Sequence, residues 1–365
     1  MTDLTLTDLT IVPLVVPETL EGPDARPFLE LTHLDNMVCR HDAGHDHFDH
    51  AASEALPSWR DQSDHLRFGY LAYRDNKLVG AVTFVIPTEP GGTTLEFDAF
   101  PHPDHWGEGV EDALLDIVER VAAEHGRTIA QTWTLHRPDT AGERLVAPTG
   151  FGSIPATDRQ TELFLRRGYT FEQTERNSVF DLRGPMDALE RLLVEAREKA
   201  GPDYRVVTWS LPTPAEYAEG YAYVISRMAT DVPTGGMVFE EETWDAARIA
   251  RRDERMLNGG HTVSVAAVQH VPTGRIVAFN ELVIGPDHTG ATHQYGTLVL
   301  EEHRGHRLGM LVKGENLLRW RELMPDSPRV STFNAEENRP MLDINEALGF
   351  VPASYAGAWK KVLDA

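Results

Sequence analysis

The sequence predicts an α/β (α+β) chain made of two tandem copies of one unit, and three observations carry that prediction. Strand-like and helix-like patterns interleave along the whole length, which excludes all-helical and all-sheet architectures. A single register shift relates the halves: Gly80 in KLVGAVTFVIP and Ala278 in RIVAFNELVIG stand 198 residues apart, and so do Gly107 and Gly305. Residues 296–320, GTLVLEEHRGHRLGMLVKGENLLRW, read as strand, short basic turn and helix in succession.

In chain order, residues 9–16 alternate enough for a first strand, stopped by Pro13 and Pro17. Residues 27–40 read as a helix leading into HDAGHDHFDH at 41–50. There Gly44 interrupts an acid–histidine alternation that suits a solvated loop better than a metal site. Residues 67–73 and 78–86 form a hairpin around Asp75-Asn76-Lys77. A strand at 93–100 precedes HPDHWGEGVED at 102–112. Leu114, Leu115, Ile117, Val118 and Val121 then share one side of a helix over 113–125, ended by Gly126. A strand follows at 129–135, then a Pro-, Gly- and Thr-rich connection at 137–159. A helix closes at 164–169, and residues 170–182 supply one or two strands.

The helix expected at 184–200 bridges the halves, and the plan then repeats. A strand at 204–209 is followed by a helix at 215–228, a Pro/Gly loop at 231–236 and a charged helix at 242–257. Residues 262–269 and 275–284 make a hairpin around Pro272-Thr273-Gly274. After the strand–turn–helix come a strand at 329–334, a helix at 337–348 ended by Gly349, and a last strand at 355–362. Leu-Gly-Phe at 348–350 answers Arg-Gly-Tyr at 167–169 at a spacing of 181, so the connection at 137–159 absorbs the difference in length. The expected domains are 1–183 and 203–365, joined by a linking helix at 184–202.

At 365 residues, 41% hydrophobic and 25% charged, the composition is that of a soluble globular protein with room for two cores. No apolar run is long enough to span a membrane, and the start MTDLTLTDLT lacks a basic-then-apolar leader. The lone Cys39 forbids an internal disulfide and suits a reducing, cytoplasmic setting. A formal charge of −23 argues against nucleic acid or anionic membrane as partner and favours a small cationic one. A monomer or homodimer is expected.

The turn at 303–309 carries the chemistry. A helix N-terminus leaves backbone N–H groups pointing at whatever anion sits there, and Arg304, His306 and Arg307 add positive charge. Gly-Lys-Ser/Thr is absent, so this is no P-loop, and a dinucleotide fingerprint would need three glycines. Arg304, Gly305, His306, Arg307, Leu308 and Gly309 instead fill the frame Arg/Gln-x-x-Gly-x-Gly/Ala, with Arg307 in place of the middle glycine. In this the chain resembles the GNAT acetyltransferases. The resemblance implies two tandem GNAT-like domains, each a mixed, mostly antiparallel central sheet flanked by helices. It also implies acetyl-CoA as acyl donor, held by Leu298, Val299 and Leu300 of the preceding strand and by the turn. Asn334 and Asn338 fit the family's places near the pantetheine, while read locally they end a strand and cap a helix. At the spacing of 198 the first half offers Trp106, Gly109 and Glu111 for Arg304, Arg307 and Gly309. Its turn therefore presents Glu108, Glu111 and Asp112 where an anion would approach, and the first half is expected to be a degenerate copy.

Acyl transfer to an amine needs that amine deprotonated and the leaving thiolate protonated. Many family members place a tyrosine acid three residues before Leu-Gly-Phe, where this chain has Asn345; Tyr355, on a later element, is the candidate substitute. For the base, Glu281 in VAFNELVI is an acid among apolar neighbours, answered by Thr83 in the first half; it either sits buried with a raised pKa or faces water. His293 is a second candidate base. The expected function is acetyl-CoA-dependent transfer to a small-molecule amine. A non-catalytic acyl-CoA sensor and a protein N-acetyltransferase are the alternatives.

Overall fold

Asp75 and Asn76 both take positive φ (50° and 60°), the backbone that a two-residue hairpin turn demands and that Asn and Asp tolerate best. The sequence-predicted hairpin therefore closes where expected, with Arg74 opposite Lys77. The computed structural model describes residues 9–363, so most of the MTDLTLTDLT start lies outside the described residues.

In chain order the elements begin with β1 (Thr10–Pro13), α1 (Arg26–Ala43), α2 (Ala52–Arg60), β2 (His65–Arg74), β3 (Lys77–Pro87) and β4 (Thr94–Pro101). Next come α3 (Val110–Glu124), β5 (Ile129–His136), β6 (Arg144–Val146), β7 (Ser153–Pro155), α4 (Arg159–Arg166) and β8 (Thr170–Asp181). They continue with α5 (Asp187–Ala200), β9 (Tyr204–Ser210), α6 (Ala215–Ser226), α7 (Met228–Asp231), α8 (Ala246–Asn258), β10 (Thr262–His270) and β11 (Arg275–Ile284). The last are β12 (Thr292–Val299), α9 (Leu308–Leu323), β13 (Arg329–Ala335), α10 (Arg339–Leu348) and β14 (Val351–Val362).

Two compact units result. Among the described residues, the first holds 9–174, Gly235–Val238 and 354–363; the second holds Glu175–Thr234 and Phe239–Ala353. The first unit's sheet runs β1-β2-β3-β4-β5-β14 and the second's runs β8-β13-β12-β11-β10-β9, with β8 contributing from Glu175 onward. In each, one neighbouring pair is parallel (β4 with β5, β12 with β13) and the others are antiparallel. Both parallel pairs are brief: β4 meets β5 only over Thr94–Glu96, and β12 meets β13 only at Thr292 and His293. Beyond those residues each pair splays.

The units do not follow the expected domains. The helix expected to link the halves, α5, belongs to the second unit, where Leu193 packs against Gly314 of α9 and joins the core of Val277, Leu298, Leu317 and Trp320. Strand β14 belongs to the first unit from Ser354 onward, pairing with β5 from Tyr355↔His136 to Val362↔Ile129 and burying Trp359 beside Phe164 and Phe171. The connection at 137–159 holds the small β6–β7 hairpin, whose three-residue strands are too short to show a period in sequence. Buried polar contacts fix α9 on its sheet. Asn316 Nδ2 donates to Asn280 Oδ1 (2.8 Å), Ser264 Oγ donates to Asn316 Oδ1 (2.6 Å), and Trp320 Nε1 donates to Thr292 Oγ1 (2.7 Å). The helix N-terminus that bears the turn is thereby anchored to β10, β11 and β12.

Candidate acyl-donor site

Gly305 takes φ +85° and Arg307 takes φ 56°, so the chain reverses through two left-handed residues before α9 begins. The second is the place where the family pattern has glycine, and it explains that preference: a left-handed residue with a Cβ is strained by roughly 1–2 kcal/mol. No side chain caps α9. Its first N–H groups face the turn, as an anion site requires.

A cavity of about 360 Å³ opens there, wholly within the second unit. Of the residues expected to hold the donor, Leu298, Val299, Arg304, Gly305, Arg307, Leu308, Gly309 and Asn338 line it. Arg304 is held by backbone carbonyls, Nε donating to Val299 O (3.2 Å) and Nη2 to Asp231 O (3.4 Å). Asp231, which also lines the cavity, turns its carboxylate onto Arg227 (2.6 Å). One edge of β12 is occupied by β11 (Phe279↔Leu298, Ala278↔Val299), and the splay from β13 leaves the other to the cavity. Asn338 stands at the N-cap of α10 without making a side-chain cap bond.

Three of the expected residues lie elsewhere. Leu300 is core, His306 packs its ring near Tyr204 (centroids 5.0 Å), and Asn334 Oδ1 accepts from Asn345 Nδ2 (2.7 Å). The catalytic candidates do not line the cavity. Glu281 is 2% exposed; its Oε2 accepts from Tyr221 (2.5 Å) and its Oε1 from the Arg252 guanidinium. Burial alone would pull Arg252 down, yet Glu281, then Tyr221, hold it above its ordinary value. Burial, then the Glu281 charge, push the Tyr221 phenol well above its own. Of the two alternatives read from sequence, Glu281 is the buried one, and both of its oxygens are engaged. His293 sits on β12 opposite Val283, its ring 6.3 Å from that of Tyr295. Tyr355 is part of the first unit, opposite His136, and so lies outside the unit that holds the cavity.

Sequence reasoning missed Lys313. It is fully buried on α9, donating to Asn345 Oδ1 (2.5 Å) beside Met341 Sδ (3.8 Å), and Met341 lines the cavity. Burial pushes its ammonium down to about 7. The signal was present: Lys313 follows Met310 by three residues and precedes Leu317 by four, on the apolar stripe.

The corresponding turn of the first unit has the same backbone and a different content. Gly107 and Gly109 both take φ +83°, and Gly109 is the N-cap of α3 as Arg307 is of α9. Glu111 folds back so that its Oε1 accepts from Gly107 N (3.0 Å), and its Oε2 is buried without a hydrogen-bond partner. A carboxylate of the chain itself occupies the anion position. Glu108 pairs with His105 (2.9 Å) and Arg74.

Residues 30–151 match the model of the acetyltransferase (GNAT) family, a match that falls on the first unit. No curated protein matches the chain. Among solved structures, a tandem GNAT protein from the clavulanic acid biosynthesis pathway superposes with TM-score 0.70 at 20% identity, over 97% of this chain and 98% of that one. The chain has the tandem GNAT fold. A GCN5-related N-acetyltransferase from Sphaerobacter thermophilus is similar at TM-score 0.60 and 14% identity, over 96% and 95% of the two chains. Among the described residues of this tandem GNAT-fold chain, no helix is long and apolar enough to cross a membrane.

Proposed function

We propose that the second unit binds acetyl-CoA and that the protein transfers its acetyl group to a small-molecule amine, a cationic one being favoured by the net charge. The observation that carries this reading is the cavity at the N-terminus of α9, where uncapped N–H groups and two arginines face an apolar channel. Those features match a phosphate-bearing ligand with an acyl arm. The N–H groups of Leu308 and Gly309 with Arg304 would hold the pyrophosphate. The free edge of β12 at Thr297–Val299 would pair with the pantetheine, and Met341 and Ile344 would exclude water from it. When bound, the group supplies an activated thioester carbonyl. Neither an acid nor a base is assigned to this unit, since Glu281 is sealed and Asn345 replaces the family's tyrosine.

That sealing favours a second reading, an acyl-CoA sensor that binds without turnover. Release of free thiol on incubation with acetyl-CoA and an amine panel separates the two. Calorimetric titration should give one coenzyme A per chain, and Arg304→Ala should weaken it by ~1.5–3 kcal/mol through loss of a charge-assisted contact. Two equivalent sites, or an unchanged dissociation constant in the variant, would reject the donor assignment.

A further inference from the structure

A chain of hydrogen bonds runs through the second unit to its cavity. Arg319, half-buried on α9, donates through Nη1 to Ser264 Oγ of β10, and Ser264 Oγ donates to Asn316 Oδ1 (2.6 Å). Asn316 Nδ2 donates to Asn280 Oδ1 (2.8 Å), and Asn280 Nδ2 donates to Thr297 Oγ1 of β12 (2.8 Å). Ser264, Asn316 and Asn280 are fully buried, and Thr297 lines the cavity. The direction of the chain is fixed at both amides. Asn316 Nδ2 also faces two backbone carbonyls, Ser264 O (3.0 Å) and Asn280 O (3.2 Å), which can only accept. Asn280 Nδ2 likewise faces Gly296 O (3.5 Å). A guanidinium carries donors alone, so every bond points from Arg319 toward the cavity. Thr297 Oγ1 is thereby held as an acceptor. Its own O–H, which among the described residues reaches no protein acceptor, is left to donate to a ligand.

The first unit shows that the fold does not need these polar side chains. At the spacing of 198, Asn280, Thr297, Asn316 and Arg319 answer to Val82, Ala99, Val118 and Val121. The pairing agrees, since Val82 stands opposite Ala99 as Asn280 stands opposite Thr297. Ser264, opposite Leu282, answers to Phe68, opposite Phe84. All five counterparts are apolar and lie in that unit's core or pack against it. Burying amides and hydroxyls costs stability unless every bond is made, and apolar side chains serve the same packing. The polar chain therefore stands only in the unit whose turn is open, and it ends in that unit's cavity.

We propose that the Thr297 hydroxyl donates to the acyl carbonyl of the bound donor, and that it is the group by which this site distinguishes acylated coenzyme A from the free thiol. The assignment rests on the donor reading above. Position along β12 selects the carbonyl. Val299 lies against Gly309 at the N-terminus of α9, the end that suits phosphate, with its Cγ2 3.7 Å from where a Cβ on Gly309 would stand. Thr297 is two residues farther along the strand, about 7 Å on, and of the β12 residues lining the cavity it is the most distant from the turn. A coenzyme A thioester carries its carbonyl at the end opposite its phosphates. Aligned dipoles from Arg319 onward strengthen the last donor of the chain. A transferase and a sensor would both use such a donor, the first to release the free thiol and the second to read acylation.

The test is calorimetric titration of the full chain with acetyl-CoA and, separately, with free coenzyme A. Thr297→Val keeps the branched shape and removes the hydroxyl. It should weaken acetyl-CoA about three- to tenfold, the net worth of one hydrogen bond, and leave free coenzyme A within about twofold. Thr297→Ser keeps the hydroxyl and should hold both ligands within about twofold of wild type. With an isotope-labelled acetyl group, the infrared band of the bound carbonyl should lie below its position in an apolar solvent for wild type and Thr297→Ser, and higher in Thr297→Val. Equal weakening of both ligands in a Thr297→Val chain of unchanged melting temperature overturns the proposal, as does no weakening of either. A wild-type band at the apolar-solvent position overturns it too, and that reading stands even if Thr297→Val fails to fold. Each of these outcomes requires that the wild type bind, so the donor reading survives them; a wild type that binds neither ligand rejects the donor reading itself, and this assignment with it.

Discussion

The two helix-opening turns share a backbone and differ in what fills it. In the second unit Gly305 and Arg307 bend the chain, no side chain caps α9, and a cavity of about 360 Å³ remains. In the first, Gly107 and Gly109 make the same bends, and Glu111 closes the position. The units also differ in how their acids are partnered: the second pairs Glu281 with Arg252, and the first sets Asp35 and Asp98 around a cavity of about 150 Å³ that Arg67 and His50 also line. Duplication lets one copy keep its turn open while the other fills the same turn with its own side chain. An internal partner costs no association entropy, so a filled turn favours folding where an open one favours a ligand.

The largest effect is expected from breaking the Glu281–Arg252 pair of the second unit. Glu281→Gln leaves the half-buried Arg252 guanidinium with Asp253 (3.9 Å) as its remaining countercharge, and should cost about 3 kcal/mol of stability in urea titration. Turnover per folded molecule should fall little. A variant of full stability whose rate drops by orders of magnitude would instead return Glu281 to the chemistry.

Closing the open turn of the second unit should come next. Gly309→Glu reproduces the first unit's Glu111, and its Cβ would meet Ile344 Cδ1 at 3.0 Å, a contact that a small shift relieves. A carboxylate at the helix N-terminus competes with the phosphate, so coenzyme A affinity should fall by about two orders of magnitude or more while the melting temperature holds. Retained affinity would show that the turn is not the anion site.

How much of this was legible in sequence follows from the range of each interaction. The hairpin at Asp75-Asn76, the repeat and the basic turn are local patterns, and each appears where the sequence places it. The repulsive character of Glu111 was legible too, though its bond to Gly107 was not. The partners of Glu281 lie 60 and 29 residues away on α6 and α8, and no pattern on β11 announces them. Placing β14 against β5 and α5 within the second unit likewise depends on long-range contacts that periodicity does not encode. Asp35 and Asp98 belong to this class, 63 residues apart in sequence and facing one cavity.

The smallest expected effect concerns the one place where the two turns differ in strain rather than in charge. Arg307 adopts φ 56° where its counterpart Gly109 adopts φ 83°. Its guanidinium pairs with Glu195 at 2.6 Å, but both side chains are about half exposed (49% and 55%), so that pair contributes little. Arg307→Ala removes the charge and keeps the Cβ in the left-handed region. Arg307→Gly removes the charge and the strain together, at some cost in unfolded-chain entropy. The glycine variant should therefore be more stable than the alanine variant by about 1 kcal/mol in chemical denaturation. Both should bind coenzyme A more weakly than wild type and to a similar degree, since both lack the same guanidinium beside the cavity. If alanine were the more stable of the two, the left-handed geometry would not be what selects glycine at this position. The difference between the turns would then rest on charge alone.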